Sequence, residues 1–89
     1  MKVRVKYYGV ASELAGIKEE LIEIDGRPTL RQIINTLPSK SKASLNSLLR
    51  GGMLMEGLRI ALNHKIVDDM DVEVDDGSII AFLPPSSGG

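Results

Sequence analysis

Thr29-Leu30-Arg31-Gln32-Ile33-Ile34-Asn35-Thr36-Leu37-Pro38 reads as a helix with a marked beginning and a marked end. Thr29 and Gln32 have the spacing of a capping box. The threonine hydroxyl can take an orphan amide of the first turn while the glutamine side chain reaches back. Leu30, Ile33, Ile34 and Leu37 follow at i, i+3, i+4 and i+7, one apolar stripe on an otherwise polar cylinder. Pro38 is expected to stop the helix, because it has no N–H and its ring collides with the preceding turn. This is the one long amphipathic helix that the chain offers. A single helix can cover one face of one sheet but not two sheets, so the fold expected is α+β, with the main helix lying across one sheet face.

The segments around it supply the sheet. Lys2-Val3-Arg4-Val5-Lys6-Tyr7 alternates with period two, so Val3, Val5 and Tyr7 should face the core and the basic residues water. Gly9 ends that strand, and Val10 to Ala15 fits a short helical turn closed by Gly16. Glu20-Leu21-Ile22-Glu23-Ile24 reads as a second strand ended by the Asp25-Gly26 turn. Leu58 to Leu62 is a strand that turns at Asn63-His64 into Lys65-Ile66-Val67, and Asp76-Gly77 has the form of another hairpin turn. Ile79-Ile80-Ala81-Phe82-Leu83 is apolar at every position, as a strand buried on both faces at the centre of a sheet would be. Pro84-Pro85 cannot donate to a ladder and ends it. Ser39 to Gly52 is small and polar without sustained period, and is expected to be a long loop with one helical turn around Leu45 to Leu49. The result is an α+β roll of the ubiquitin type, with a domain at residues 1–83 and a flexible tail at 84–89.

Composition narrows the function. The chain has 89 residues, enough for one core, and its 11 basic and 12 acidic residues give a formal net charge of −1. That balance and the presence of only two tyrosines and one phenylalanine argue against a nucleic-acid partner. With no cysteine there is no disulfide, thiolate metal site or cysteine nucleophile. No apolar run approaches the ~20 residues of a membrane span and no secretory leader is visible, so the expectation is a cytoplasmic protein without a membrane partner.

Few residues carry candidate chemistry. His64, the only histidine, falls at a turn with no triad or ligand set around it. Asp68, Asp69, Asp71, Glu73, Asp75 and Asp76 do not match the register of a calcium loop, and read as turn chemistry on a solvated edge. Gly51-Gly52 lacks the Lys-Ser/Thr of a phosphate loop. Met53 and Met55 flank a loop as gap-filling residues. No metal site and no bound cofactor are expected. What remains is the ending Pro84-Pro85-Ser86-Ser87-Gly88-Gly89. Six extended residues span roughly 20 Å. The prolines hold the first part stiff, and the slim remainder could enter a narrow pocket, with a glycine carboxylate that must be activated before it reacts. Ser-Ser-Gly-Gly alone also has the composition of an expression linker.

The sequence resembles a known family at several points. Val5-Lys6-Tyr7-Tyr8-Gly9-Val10-Ala11-Ser12-Glu13-Leu14-Ala15-Gly16 is similar to the opening strand and Glu-Leu-x-Gly of the small subunit of molybdopterin synthase, a ubiquitin-like β-grasp protein. Leu62-Asn63 matches an apolar-Asn segment before a turn, and the strongest match is Asp76-Gly77 followed by Ile80-Ala81-Phe82-Leu83-Pro84-Pro85-Ser86-Ser87-Gly88-Gly89. Only Ser39 to Gly57, longer here, lies outside the resemblance. The resemblance implies a mixed β-grasp sheet and a sulfur carrier. A ubiquitin-activating-like adenylyltransferase would use ATP to adenylate the Gly89 carboxylate, and a sulfur-donating enzyme would convert it to a thiocarboxylate. The tail would then thread into the large synthase subunit, where the sulfur builds the dithiolene of molybdopterin. On this reading Gly89 bears the sulfur and Gly88, Ser87, Ser86, Pro85 and Pro84 occupy the partner's channel. Phe82, Leu83 and Ile66 form an apolar docking patch, with plain core as the alternative for Phe82. The chain would be the non-catalytic, sulfur-donating part of a two-subunit transferase. A ubiquitin-like protein modifier or general sulfur donor, for protein conjugation or tRNA thiolation, would share the activation chemistry. A thiazole-pathway carrier shares the Gly-Gly but is shorter and lacks the Pro-Pro. A β-grasp binding module with an inert tail is the remaining reading.

Overall fold

The computed structural model describes residues 1–45, 48–50, 53–54 and 57–84. In chain order the elements are β1 (Lys2–Tyr7), α1 (Val10–Ala15), β2 (Glu19–Glu23), α2 (Leu30–Lys40), β3 (Leu49–Arg50), β4 (Met53–Leu54), β5 (Arg59–Leu62), β6 (Lys65–Ile66) and β7 (Ile79–Leu83). Five strands form one sheet in the order β2-β1-β7-β5-β6. All neighbours are antiparallel except β1 and β7, which run parallel at the centre. This is the expected mixed β-grasp sheet, and the all-apolar run at 79–83 is its middle strand.

Val3, Val5 and Tyr7 are buried, as the period-two pattern of β1 requires, and they share one core with Ile22, Ile60, Ile80, Phe82 and the α2 stripe Leu30, Ile33, Ile34 and Leu37. Both halves of the capping box are present: Gln32 N–H donates to Thr29 Oγ1 at 3.2 Å, and Thr29 N–H donates to Gln32 Oε1 at 2.8 Å. The two remaining first-turn amides also find partners, Leu30 N–H on the Val72 carbonyl at 2.9 Å and Arg31 N–H on that of Met70 at 2.8 Å. The positive end of this helix is therefore capped by the chain itself. Gly16 closes α1 in the left-handed conformation at φ 82°.

Pro38 does not stop α2. The helix passes through it to Lys40, and Ser41 N–H bonds the Leu37 carbonyl at 2.7 Å. A proline in the last turn removes only the donor to the carbonyl four residues back, and the helix ends before a second bond is needed. The described residues of the segment read as a loop at 39–52 are also more ordered than expected. Leu45, Leu48 and Leu49 are buried in the main core, and β3 pairs with β4 in a two-stranded ribbon. The expected turn survives as a single bond from Leu48 N–H to the Leu45 carbonyl. Its stem is held by the Glu20 carboxylate, which accepts from the Tyr7 hydroxyl at 2.8 Å, from Lys42 N–H at 2.8 Å and from the Ser41 hydroxyl.

Strand limits shift by a residue: β2 begins at Glu19, and Leu58 and Val67 fall outside β5 and β6. Asn63 and His64 turn the β5–β6 hairpin at φ 51° and 73°. The Asn63 side chain continues the ladder by accepting from Ile79 N–H at 2.9 Å. Asp76-Gly77 makes a turn but closes no hairpin, because the residues before it form only an isolated bridge, Glu73 to Thr29. Among the described residues no helix is long and apolar enough to cross a membrane.

Candidate functional site

The end of β7 is held from both sides. Phe82 lies opposite Tyr7 on β1 and Ile60 on β5, and Leu83 lies opposite Arg59. Tyr8 N–H donates to the Phe82 carbonyl at 3.1 Å. Below this point the rings of Phe82 and Tyr7 stack with centroids 5.3 Å apart and planes 3° from parallel. The chain thus reaches Pro84 from a strand fixed by two neighbours and a buried aromatic pair. Pro85, Ser86, Ser87, Gly88 and Gly89 lie outside the described residues.

Phe82 belongs to the core and not to an exposed docking patch, since none of it is open to solvent. In a strand, alternate side chains face opposite ways, and Ile80 and Phe82 point toward α2. Ile79, Ala81 and Leu83 are then left on the outer face. Strand register extends that face: Ile66 pairs with Ala61, Ala61 with Ala81, and Ala81 with Lys6. Ile66 is 53% exposed and Tyr8 44%. The two alanines, small and flanked by larger side chains, leave a shallow depression of about 230 Å³ lined by Tyr8, Ala61, His64, Ile79, Ala81 and Leu83. Leu83 and Ile66 therefore lie on the same face of the sheet. Ile79, Ala81, Ala61 and Tyr8 join them without having been singled out in the sequence. The signal for β7 was its alternation, readable only once Phe82 is known to point inward.

Charge frames this apolar strip. Lys2, Arg4 and Lys6 line its β1 side, where Arg4 Nη1 contacts Glu19 Oε2 at 2.6 Å. That hydrogen bond holds the Glu19 carboxyl below its ordinary range, and Lys6 adds to the effect. Arg59 lies on the far side, opposite Leu83.

Of the other candidate residues, the acidic ones serve the fold. His64 sits exposed in its turn. The acidic stretch ties down two element starts: at α2 Asp71 pairs with Arg31 at 2.9 Å and Asp69 Oδ1 accepts from Asp71 N–H, and at β1 Asp76 Oδ1 accepts from Lys2 N–H at 2.7 Å. The Arg31 guanidinium lowers the Asp71 carboxyl and is itself raised by it. Among the described residues no group of three or more such side chains is arranged to hold a metal ion.

The model of the ThiS family matches residues 5–89. Over the whole of both chains the sequence is 34% identical to the molybdopterin synthase sulfur carrier subunit of Chlamydomonas reinhardtii. It is 22% identical to small archaeal modifier protein 3 of Haloferax volcanii, again over both full lengths. Among solved structures it resembles a chain of the protein–protein complex of subunits 1 and 2 of the molybdopterin-converting factor from Helicobacter pylori. That likeness covers 100% of both chains, with a TM-score of 0.69 and 25% identity.

Proposed function

Because this chain belongs to the ThiS family, we propose that it is a sulfur carrier and the small, sulfur-donating subunit of molybdopterin synthase. The observation that carries this reading is the 34% identity to a molybdopterin synthase sulfur carrier subunit along the entire length of both chains. The clamped end of β7 supports it, since a strand fixed on both sides gives the tail a rigid base. In the proposed cycle the Gly89 carboxylate attacks the α-phosphate of ATP on an activating adenylyltransferase, releasing pyrophosphate and leaving an acyl adenylate. A persulfide sulfur adds to the acyl carbon and expels AMP. A further thiol cleaves the resulting S–S bond, leaving a thiocarboxylate on Gly89 and a disulfide on the donor. The tail then enters the large subunit and gives up this sulfur to the pterin precursor.

Docking on the large subunit falls to the outer face, through Leu83, Ile66 and the alanine-floored depression between them. Gly88, Ser87, Ser86, Pro85 and Pro84 occupy the channel, where the glycine leaves room for the backbone to pass. Phe82 contributes by keeping β7 straight, from inside.

A protein modifier is the second reading, favoured by the full-length relative in Haloferax volcanii. It would share the activation and differ at the acceptor, a lysine amine in place of the pterin. Co-expression with an activating enzyme and a sulfur source, followed by intact-mass analysis, tests the first reading: one oxygen of Gly89 should be replaced by sulfur. An unaltered mass, under conditions that charge a known carrier, defeats it. Restored dithiolene synthesis in a strain lacking its small subunit then selects the first, and Gly-Gly remnants on target lysines select the second.

A further inference from the structure

Gly9 begins α1 at φ 55° and ψ −131°, a region that strains any residue with a Cβ. Gly16, Gly26 and Gly77 also have positive φ, yet a Cβ built on any of them would meet nothing within 4 Å. Gly9 differs. A Cβ there would stand 3.0 Å from Cγ of Pro84, 3.6 Å from its Cβ and 3.7 Å from its Cδ. Carbon atoms prefer separations of about 3.5–4.0 Å, so the proline ring fills the space that the side chain of any other residue would take.

Pro84 needs such a seat. It is the first residue beyond β7, half-buried, and without an N–H it cannot be directed by a ladder bond. Packing must set its direction instead. The seat itself is firm: the Gly9 carbonyl accepts from Ser12 N–H at 3.0 Å and Glu13 N–H at 3.3 Å, and Tyr8 just before it is bonded to Phe82.

We propose that Gly9 is a positioning residue for the C-terminal arm. The gap left by its absent side chain receives the Pro84 ring and fixes the course on which the chain leaves the sheet. This deepens the sulfur-carrier reading and takes its functional meaning from it, whereas the packing role stands on the geometry alone.

The chain has no cysteine, so spin labels can be placed on two introduced ones, Asn35→Cys on α2 and Ser87→Cys on the arm. Distance distributions are then measured in the otherwise native chain and with Gly9→Ala, Pro84→Ala, and both together. Gly9→Ala should shift or broaden the distribution, and should add little once Pro84→Ala has removed the ring. In the unlabelled proteins Gly9→Ala should lower kcat/KM for adenylation of the arm about tenfold or more, the scale expected of a misplaced reacting group. An unchanged distribution, or a Gly9→Ala effect equally large without the Pro84 ring, overturns the proposal. If Gly9→Ala fails to fold, Pro84→Ala decides alone: it must broaden the distribution, and an unchanged one sinks the idea. Failure of the carrier reading would show separately, as a native chain that is never charged while its distances still report the packing.

Discussion

Tyr7 joins the core to the polar network that anchors the stem of the 41–57 segment. Its ring stacks on Phe82 while its hydroxyl donates to Glu20. Burial, opposed by the Ser41 hydroxyl and reinforced by the Glu20 carboxylate, holds its pKa well above the ordinary value of 10.0. Tyr7 keeps its proton longer in the folded chain than in the unfolded one. Its contribution is therefore complete below about pH 10, where both states are neutral, and is lost as pH rises from there toward the folded pKa. Tyr7→Phe should remove this component. Urea unfolding from about pH 8 to 11 should show wild type as the more stable protein at the lower end, with its advantage shrinking above about pH 10. A gap that stays constant across that range would contradict the assignment.

At the level of elements, α2, β1 and β7 were legible because their signals are local: a capping pair, a stripe of fixed period, an unbroken apolar run. The segment after α2 was not. Leu45, Leu48 and Leu49 keep the i, i+3, i+4 spacing for a single turn only, and what orders them is remote in sequence, including the Ala15 carbonyl that accepts from Ser44 N–H at 2.8 Å and the Glu20 carboxylate on β2. Leu48 is wholly buried despite its polar neighbourhood. Leu48→Ala should cost about 2–5 kcal/mol, as other buried leucines do. Chemical denaturation measures it, and a loss below about 0.5 kcal/mol, the scale of a surface change, would return the segment to the status of a loop. Phe82 stood open between docking patch and core for a related reason. An unbroken apolar run hides which side chains face in, and only the pairing of β7 with β1 and β5 separates Phe82 from Leu83. Of the proposed site, the tail, Leu83 and Ile66 were named beforehand, while the alanine floor needed the register of three strands.

For the molecule as a whole, the sheet divides labour between its faces: one carries the core beneath α2, the other an apolar strip between basic borders. Ile66 lies on that outer strip, so a charge there should leave folding intact and oppose docking. Ile66→Glu should melt within a few degrees of wild type, yet weaken association with a large synthase subunit about tenfold or more, as loss of an apolar anchor does. Calorimetric titration checks it, and unchanged affinity would move the docking site elsewhere. The parallel pairing of β1 with β7 has a consequence of another kind. The middle of the sheet joins segments from opposite ends of the sequence, with Lys2 bonded to Asp76 across 74 positions. Such long closures are slow to form, and here the strand that completes the sheet is also the last to be synthesised. Until it arrives, β1 and β5 have no common neighbour and the inner face has no floor. A chain cut short upstream of Ile79 would thus lack the one strand that β1 and β5 both pair with, and with it the outer face that Ala81 and Leu83 supply.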